Sequence, residues 1–183
     1  MKIIPFYNNK ELIERAQKGD RSAQRFIYER YSAKMLSVCR MYIKDLQFAE
    51  DVMLRGFLKV YMQMGSFRFE GSFEGWIRRI MVREAIDFLR VHKRLEFSKD
   101  LEQSVLLTAV DVQYGHQEVD AIQSLIDELP EGYKVVFVMA AIEGYKHKEI
   151  AEVLGISVGT SKSQLAKARK ALQKHFNIKR VNR

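Results

Sequence analysis

Residues 145–172 read YKHKEIAEVLGISVGTSKSQLAKARKAL, and this stretch decides the fold of the C-terminal part of the chain. Apolar residues recur at helical spacing in 148–154, and Gly155 then ends the helix where a left-handed backbone is favourable. Ser157 is a good N-cap for a second helix. The residues that this second helix turns inward are Ser161, Leu165, Ala168 and Leu172. The pattern predicts a helix-turn-helix, whose second helix typically enters the major groove of DNA.

Positive charge is concentrated on this second helix and the tail that follows it. Residues 157–183 contain eight Lys or Arg and no acidic residue, which equals the formal net charge of +8 of the whole chain. Such a cluster is typical of phosphate binding. A helix lying on a membrane would carry large apolar residues opposite the charge, whereas this one carries mostly Ala, Leu and Ser. We therefore favour DNA over a membrane surface or an ordinary helical hairpin.

The rest of the chain predicts an all-α protein made of two helical domains joined by an acidic linker. Alternating apolar and polar stretches are almost absent, and there are only two prolines. In the first domain we expect Asp20, Asp45 and Ser72 to cap helices. The predicted helices there are 10–18, 21–43, 46–64 and 73–93. The predicted core of this bundle is Phe26, Tyr31, Leu36, Val52, Phe57, Val60, Trp76, Ile80 and Phe88.

The domain boundaries follow from a change in composition. Residues 100–131 contain eight acidic residues and no Lys or Arg. We assign 1–93 to the first domain, 94–117 to the linker and 118–183 to the second domain, whose first two helices are predicted at 118–129 and 133–142. The linker is either solvated or lies in a positively charged channel, where it imitates nucleic acid.

Residues 67–94, FRFEGSFEGWIRRIMVREAIDFLRVHKR, interleave aromatic rings with arginines. Exposed rings beside guanidinium groups suit unstacked bases, because the ring stacks and the cation holds the phosphate. The alternative is that the rings form core and the arginines only solubilise the helix. We apply that alternative to Phe73, Trp76 and Phe88, but expect Phe67 to be exposed in its glycine-flanked loop.

No residue pattern indicates catalysis, a metal or a cofactor. The chain has no glycine-rich phosphate loop and no nucleophile motif, so a non-enzyme is favoured. Cys39 is the only cysteine and reads as a buried thiol, and the four histidines lack metal-ligand spacing. The longest apolar run, 135–142, is too short for a membrane span, and the N-terminus lacks the pattern of a signal peptide. We expect a cytoplasmic protein without membrane insertion.

The chain resembles bacterial RNA polymerase sigma factors of the extracytoplasmic-function (ECF) group in the sigma-70 family. The resemblance runs from about residue 19 to residue 176, and the order and spacing of its pieces make it specific. Those pieces are AEDVMLRGFLKVY (49–61), FRFEGSFEGWIRRI (67–80), EAIDFLR (84–90), Leu129-Pro130 and HKEIAEVLGISVGTSKSQLAKAR (147–169).

The resemblance implies sigma domain 2, then sigma domain 4, and a protein that binds core RNA polymerase, recognises promoters and melts DNA. The protein would contact core polymerase at the clamp of the largest subunit and at the flap. Its acidic linker would lie near the cleft and the RNA exit path. An anti-sigma factor remains open as a further partner. The residues implied for core binding are Asp51, Leu54 and Arg55. Those implied for capturing a flipped minus-ten base are Gln63, Phe67, Arg68, Ile80 and Arg83. Those implied for reading the minus-thirty-five element are Thr160, Lys162, Ser163, Gln164, Lys167 and Arg169.

Two other functions remain as alternatives at this point. A stand-alone helix-turn-helix regulator would carry a sensor or dimerisation module in its N-terminal half. A recombinase or nuclease would carry an acidic or hydroxyl catalytic cluster, which the sequence does not display.

The chain departs from the family pattern at three of the implied residues. Family members usually have an amide and an acid at the positions of Leu54 and Arg55, and often Asn at that of Arg83.

Overall fold

The computed structural model describes residues 9–93 and 117–181. Within these ranges the chain forms eight α-helices and no strand, which confirms the all-α prediction. Two compact units divide between Phe88 and Leu89, inside the fourth helix. The predicted linker, 94–117, lies outside the described residues except for its last residue, so the domain boundaries stay a prediction.

Four helices begin in the N-terminal unit, and their ends match the predicted ones to within one residue. They are α1 (Asn9–Gln17), α2 (Arg21–Tyr42), α3 (Leu46–Gln63) and α4 (Phe73–Lys93), with a 3₁₀ turn at Met64–Ser66. Helix α2 packs against both α1 and α3. The loop between the 3₁₀ turn and α4 contains the aromatic-arginine segment.

Side-chain caps explain why these helices begin where they do. The Asp20 carboxylate accepts hydrogen bonds from two backbone N–H groups in the first turn of α2, and Asp45 accepts one from the Phe48 N–H at 3.0 Å. The Ser72 hydroxyl accepts one from the Gly75 N–H at 3.2 Å. The three cap predictions are confirmed.

Of the nine residues predicted for the core of the N-terminal unit, six are buried and three are not. Phe26, Leu36 and Trp76 are only half-buried. Each of them lies at the border of an inward-facing stripe, where one side of the side chain meets solvent. The predicted core residues that are buried are Tyr31, Val52, Phe57, Val60, Ile80 and Phe88.

Four further helices form the C-terminal unit. They are α5 (Gln117–Asp127), α6 (Glu131–Phe137), α7 (His147–Leu154) and α8 (Val158–Val181), and a π-helical turn, Val138–Ile142, continues α6. Helix α8 packs against α6 and α7. A buried ion pair, with Lys134 Nζ 2.7 Å from Asp127 Oδ1, joins α6 to the end of α5.

The turn between α7 and α8 has the predicted geometry. Gly155 adopts φ +68°, in the left-handed region that glycine tolerates best. The Ser157 hydroxyl accepts a hydrogen bond from the Thr160 N–H at 2.9 Å and so caps α8. These two residues set the angle at which α8 leaves α7, and the helix-turn-helix is confirmed.

Candidate nucleic-acid interface

The outer face of α8 presents the basic residues that the sequence places there. Lys162, Ser163, Lys167 and Arg169 are exposed, together with Lys170. None of these side chains is needed to fill the core of the unit, which leaves this face available for phosphates and base edges.

Lys167 is positioned by a residue that the sequence analysis missed. Its ammonium group lies over the ring of Tyr133 in α6, 5.9 Å from the ring centroid. A cation over an aromatic face is held in place by the ring quadrupole. The signal that could have pointed to Tyr133 is an aromatic residue early in a helix that packs against α8.

Gln164 corrects the sequence analysis, because its side chain is buried and not part of the outer face. It is 5% exposed and lies against Gly132 of α6, where an added β-carbon would come within 3.5 Å of its Nε2. Position 164 is three residues after Ser161 and four before Ala168, so it belongs to the inward stripe. That spacing was readable from the sequence.

Thr160 and Ser161 contribute to the frame of α8. The Thr160 hydroxyl lies 2.9 Å from the Ser157 hydroxyl at the cap, and the Thr160 side chain is half-buried. The buried Ser161 hydroxyl lies 2.9 Å from His147 Nδ1 at the start of α7. Polar contacts thus tie the first turn of α8 to the turn before it and to α7.

Phe67 was expected to be exposed, and that expectation is wrong. Its side chain is 6% exposed. Its ring centroid lies 5.0 Å from that of Phe73, 5.2 Å from that of Phe69 and 5.6 Å from that of Trp76. The flanking glycines indicate only how the local backbone can turn. The burial of Phe67 instead depends on its contacts with rings from the loop and from α4.

The loop is also held from α1, which the sequence analysis did not foresee. The Gln17 side-chain amide donates to the backbone oxygens of Met64 and Phe67, at 3.0 and 3.2 Å. These bonds satisfy two loop carbonyls and fix the position of Phe67. The loop is therefore held in place by contacts from α1.

A small cavity of about 190 Å³ opens beside the loop. Of the five residues implied in base capture, Phe67 and Arg68 line it, along with Trp76 and Arg79. Gln63, Ile80 and Arg83 are not in its lining. Gln63 ends α3 and is exposed, Ile80 is buried, and Arg83 is exposed three residues after Ile80 on the same side of α4.

Asp51, Leu54 and Arg55, which the family resemblance implies for core binding, all lie on the exposed side of α3. The Arg55 guanidinium lies 5.6 Å from the centroid of the Phe88 ring. Two residues missed by the sequence analysis extend this side: Leu58 is 60% exposed and Met62 is 76% exposed. Leu54, Leu58 and Met62 follow each other at intervals of four, and this α3 apolar stripe was visible in the sequence.

The thiol of Cys39 is buried in the core of the N-terminal unit. Burial is the main cause that raises the pKa of Cys39 to about 12, so its thiol stays protonated. Among residues whose placement the structure describes, no group of three or more His, Cys, Asp or Glu could hold a metal ion. No helix in the same ranges is long and apolar enough to cross a membrane.

Comparisons with known proteins match both units of the chain. Residues 27–95 match the family described as Sigma-70 region 2, and residues 120–172 match Sigma-70, region 4. The chain is 30% identical over 180 residues to the ECF RNA polymerase sigma factor SigW of Bacillus subtilis, covering 91% of this chain and 96% of that relative. It is 28% identical over 184 residues to the RNA polymerase sigma-H factor of Pseudomonas aeruginosa, covering 91% and 92%.

Two solved structures share the fold. CnrH, in complex with the cytosolic domain of CnrY, aligns with a TM-score of 0.54 at 19% identity, over 93% of this chain and 97% of that one. The sigma factor RpoE of Bartonella quintana, in complex with the anti-sigma factor NepR, aligns with a TM-score of 0.56 at 17% identity, over 84% and 96%. At these identities the likeness concerns the fold alone.

Proposed function

The chain belongs to the ECF RNA polymerase sigma factors of the sigma-70 family, and we propose how its two units divide the work of starting transcription. It is a promoter-recognition factor that acts with core RNA polymerase on promoter DNA. The observation that carries this function is the presence of both sigma regions, in order, in one chain. A stand-alone regulator is not favoured, because a sigma region 2 precedes the helix-turn-helix.

Helix α8 is proposed to read the minus-thirty-five element. Lys162, Ser163, Lys167 and Arg169 are exposed on one helix of a helix-turn-helix, where side chains reach base edges and phosphates. We assign Gln164 to packing against α6, since its amide is buried. Thr160 would contribute at the edge of the interface, from the cap of α8.

The loop of the N-terminal unit is proposed to capture a base of the minus-ten element. The small cavity beside Phe67 and Arg68 gives an unstacked base a concave site, with an arginine for its phosphate. Phe67 would form a wall of this site instead of a free stacking platform. Gln63, Ile80 and Arg83 would flank it from α3 and α4.

The exposed side of α3 is proposed to dock on the clamp of the largest polymerase subunit. The α3 apolar stripe is exposed to solvent in the free protein and is bordered by Asp51 and Arg55. An apolar helix face of this kind is typical of a helix that docks in a hydrophobic groove. Leu58 and Met62 widen the contact beyond the residues at which the family resemblance points. The C-terminal unit would meet the polymerase flap.

We propose the same division into domains that the sequence predicts. Domain 2 would span 1–93, the linker 94–117 and domain 4 118–183, with the acidic linker near the polymerase cleft. The protein would have no catalysis of its own and would work in the cytoplasm, where its polymerase is. An anti-sigma factor is proposed as a third kind of partner, since RpoE of Bartonella quintana was solved in complex with the anti-sigma factor NepR.

Run-off transcription tests the proposal. Promoters are selected from genomic DNA with the reconstituted holoenzyme, and transcripts are measured with core polymerase plus this protein. Core polymerase alone and a Leu58→Asp variant, which leaves the helix-turn-helix intact, are the controls. We expect promoter-dependent transcripts only with the unchanged protein; DNA binding without new transcripts would support a stand-alone regulator instead.

A further inference from the structure

The first turn of α6 lies beside the basic face of α8, and two consecutive residues of that turn contact it. Gly132 lies against the buried amide of Gln164. Next to it, the Tyr133 ring faces Lys167, whose Nζ is 5.9 Å from the ring centroid. Gln164 and Lys167 are three residues apart in α8, so they lie on neighbouring turns at the same edge of that helix. The two contacts therefore form one continuous strip between α6 and α8.

The turn that carries Tyr133 is fixed by its neighbours. The next residue, Lys134, is buried, and its Nζ lies 2.7 Å from Asp127 Oδ1, which ties this turn to the end of α5. The Gln123 amide donates to the same carboxylate oxygen at 3.3 Å. Because breaking a buried ion pair is costly, this turn has little freedom to move. The Tyr133 ring is half-buried, so it offers Lys167 a surface with a set position.

Lys167 benefits from such a support because of its own chemistry. A lysine carries a point charge on a flexible four-carbon stem, whereas an arginine presents a planar fork. An exposed lysine by itself reaches any of several phosphates, and phosphate contacts do not depend on the DNA sequence. An aromatic ring holds an ammonium group but, unlike a carboxylate, does not cancel its charge. The contact with Tyr133 therefore limits where the charge of Lys167 meets DNA.

We propose that Tyr133 is a positioning residue that sets base specificity in the minus-thirty-five element by acting through Lys167. With its ammonium held by the ring, Lys167 donates to the acceptors of one base. The commonest specific contact of a lysine in the major groove is with N7 and O6 of guanine. Without the ring, Lys167 also reaches neighbouring phosphates, so affinity persists while discrimination falls. The inference rests on the proposed function, to which it adds a residue of α6 outside the helix-turn-helix.

Two substitutions at position 133 separate the ring from the rest of the side chain. Tyr133→Phe keeps the ring, whereas Tyr133→Leu removes it and keeps an apolar side chain at this half-buried position. Lys167→Ala removes the ammonium group, and combining it with Tyr133→Leu completes a double-mutant cycle. The matched control is Lys162→Ala, alone and with Tyr133→Leu, because Lys162 is exposed on the same helix five residues earlier. Thermal melts of every variant, with binding measured well below the lowest midpoint, separate loss of folded protein from loss of DNA contacts.

Discrimination is measured with the reconstituted holoenzyme on a promoter that it selects from genomic DNA. Competition binding compares this promoter with a library of all single base-pair substitutions across the minus-thirty-five element. Lys167→Ala should lower discrimination at one G·C pair by about 5- to 150-fold. Tyr133→Leu should lower it at the same pair by about 2- to 5-fold, and Tyr133→Phe should leave it unchanged. Neither variant at position 133 should change affinity for a promoter whose minus-thirty-five element is scrambled.

The double-mutant cycle distinguishes positioning from packing. Tyr133→Leu should cause no further loss of discrimination when Lys167 is already alanine, but its full loss when Lys162 is alanine. Equal losses at every base pair, losses that add to those of Lys167→Ala, or a failure of Tyr133→Phe to retain discrimination would each overturn the inference. A uniform effect of Lys167→Ala across the element would also overturn it, since Lys167 would then contact phosphate alone.

The two proposals fail in different ways. Absence of promoter-dependent transcripts with the unchanged protein and core polymerase would reject the proposed function. Promoter-dependent transcription by the unchanged protein, together with undiminished base discrimination in Tyr133→Leu, would reject only the role of Tyr133.

Discussion

Replacing Phe67 separates packing from base capture. Phe67→Ala removes a 6% exposed ring that meets three other rings. A buried Phe→Ala change costs about 3–5 kcal/mol of unfolding free energy. That is a large part of the 5–15 kcal/mol or so that stabilises a typical domain. Phe67→Leu nearly keeps the volume, and its cost, including the lost ring contacts, should be only about 2 kcal/mol.

Phe73→Leu is the matched control, because Phe73 is buried in the same cluster and stacks on Trp76 at 5.7 Å. Urea unfolding should give similar losses for the two leucine variants. Run-off transcription from duplex promoters should fall further for Phe67→Leu, and a template already mismatched across the minus-ten region should restore part of it. If both variants transcribe equally from duplex DNA, Phe67 has no role beyond packing. A Phe67→Ala protein as stable as the unchanged one would refute the burial argument.

Three further predictions concern the other surfaces. Lys162→Ala should weaken promoter affinity without changing the thermal midpoint, because the side chain is exposed, whereas Gln164→Ala should lower the midpoint, because the side chain is buried. DNA titrations and thermal melts that show the opposite pattern would reject the outward position of Lys162 and the inward position of Gln164. Leu58→Asp should weaken binding to core polymerase in a pull-down and shift unfolding free energy by less than about 0.5 kcal/mol, because the side chain is exposed. Hydrogen bonds from Ser22 and Arg15 lower the pKa of Asp20 in the folded protein. The charged cap therefore stabilises α2 fully above pH about 4, and this stabilisation is lost as the pH falls through the folded-state pKa. Thermal melts of Asp20→Asn should depend less on pH in acid than those of the unchanged protein, and an unchanged acid dependence would contradict this.

Local signals were enough to predict most of the fold. Helix ends followed from caps such as Asp20 and Asp45, and the turn before α8 followed from Gly155. The basic face of α8 followed from helical spacing. Each of these features depends on residues within one or two turns of each other, where sequence alone is informative.

The base-capture loop was harder, because its conformation depends on distant residues. The burial of Phe67 depends on rings in α4 and on Gln17, which is 50 residues away. No local pattern predicts that Phe69 is left-handed, since its residue type disfavours this conformation. Gln164 is a different case: the inward spacing was present, but the polar side chain suggested an outward position.

The supports of the loop bear on how it would bind DNA. A free loop would lose conformational entropy when a base enters, and that loss would weaken binding. Here the Gln17 amide and the buried Phe67 ring order the loop when the protein folds, so the loss belongs to folding and not to binding. The strained Phe69 is consistent with the same division, because contacts elsewhere in the unit must compensate for its backbone. Helix α1, which holds the loop through the Gln17 amide, should therefore influence promoter opening through the shape of the loop.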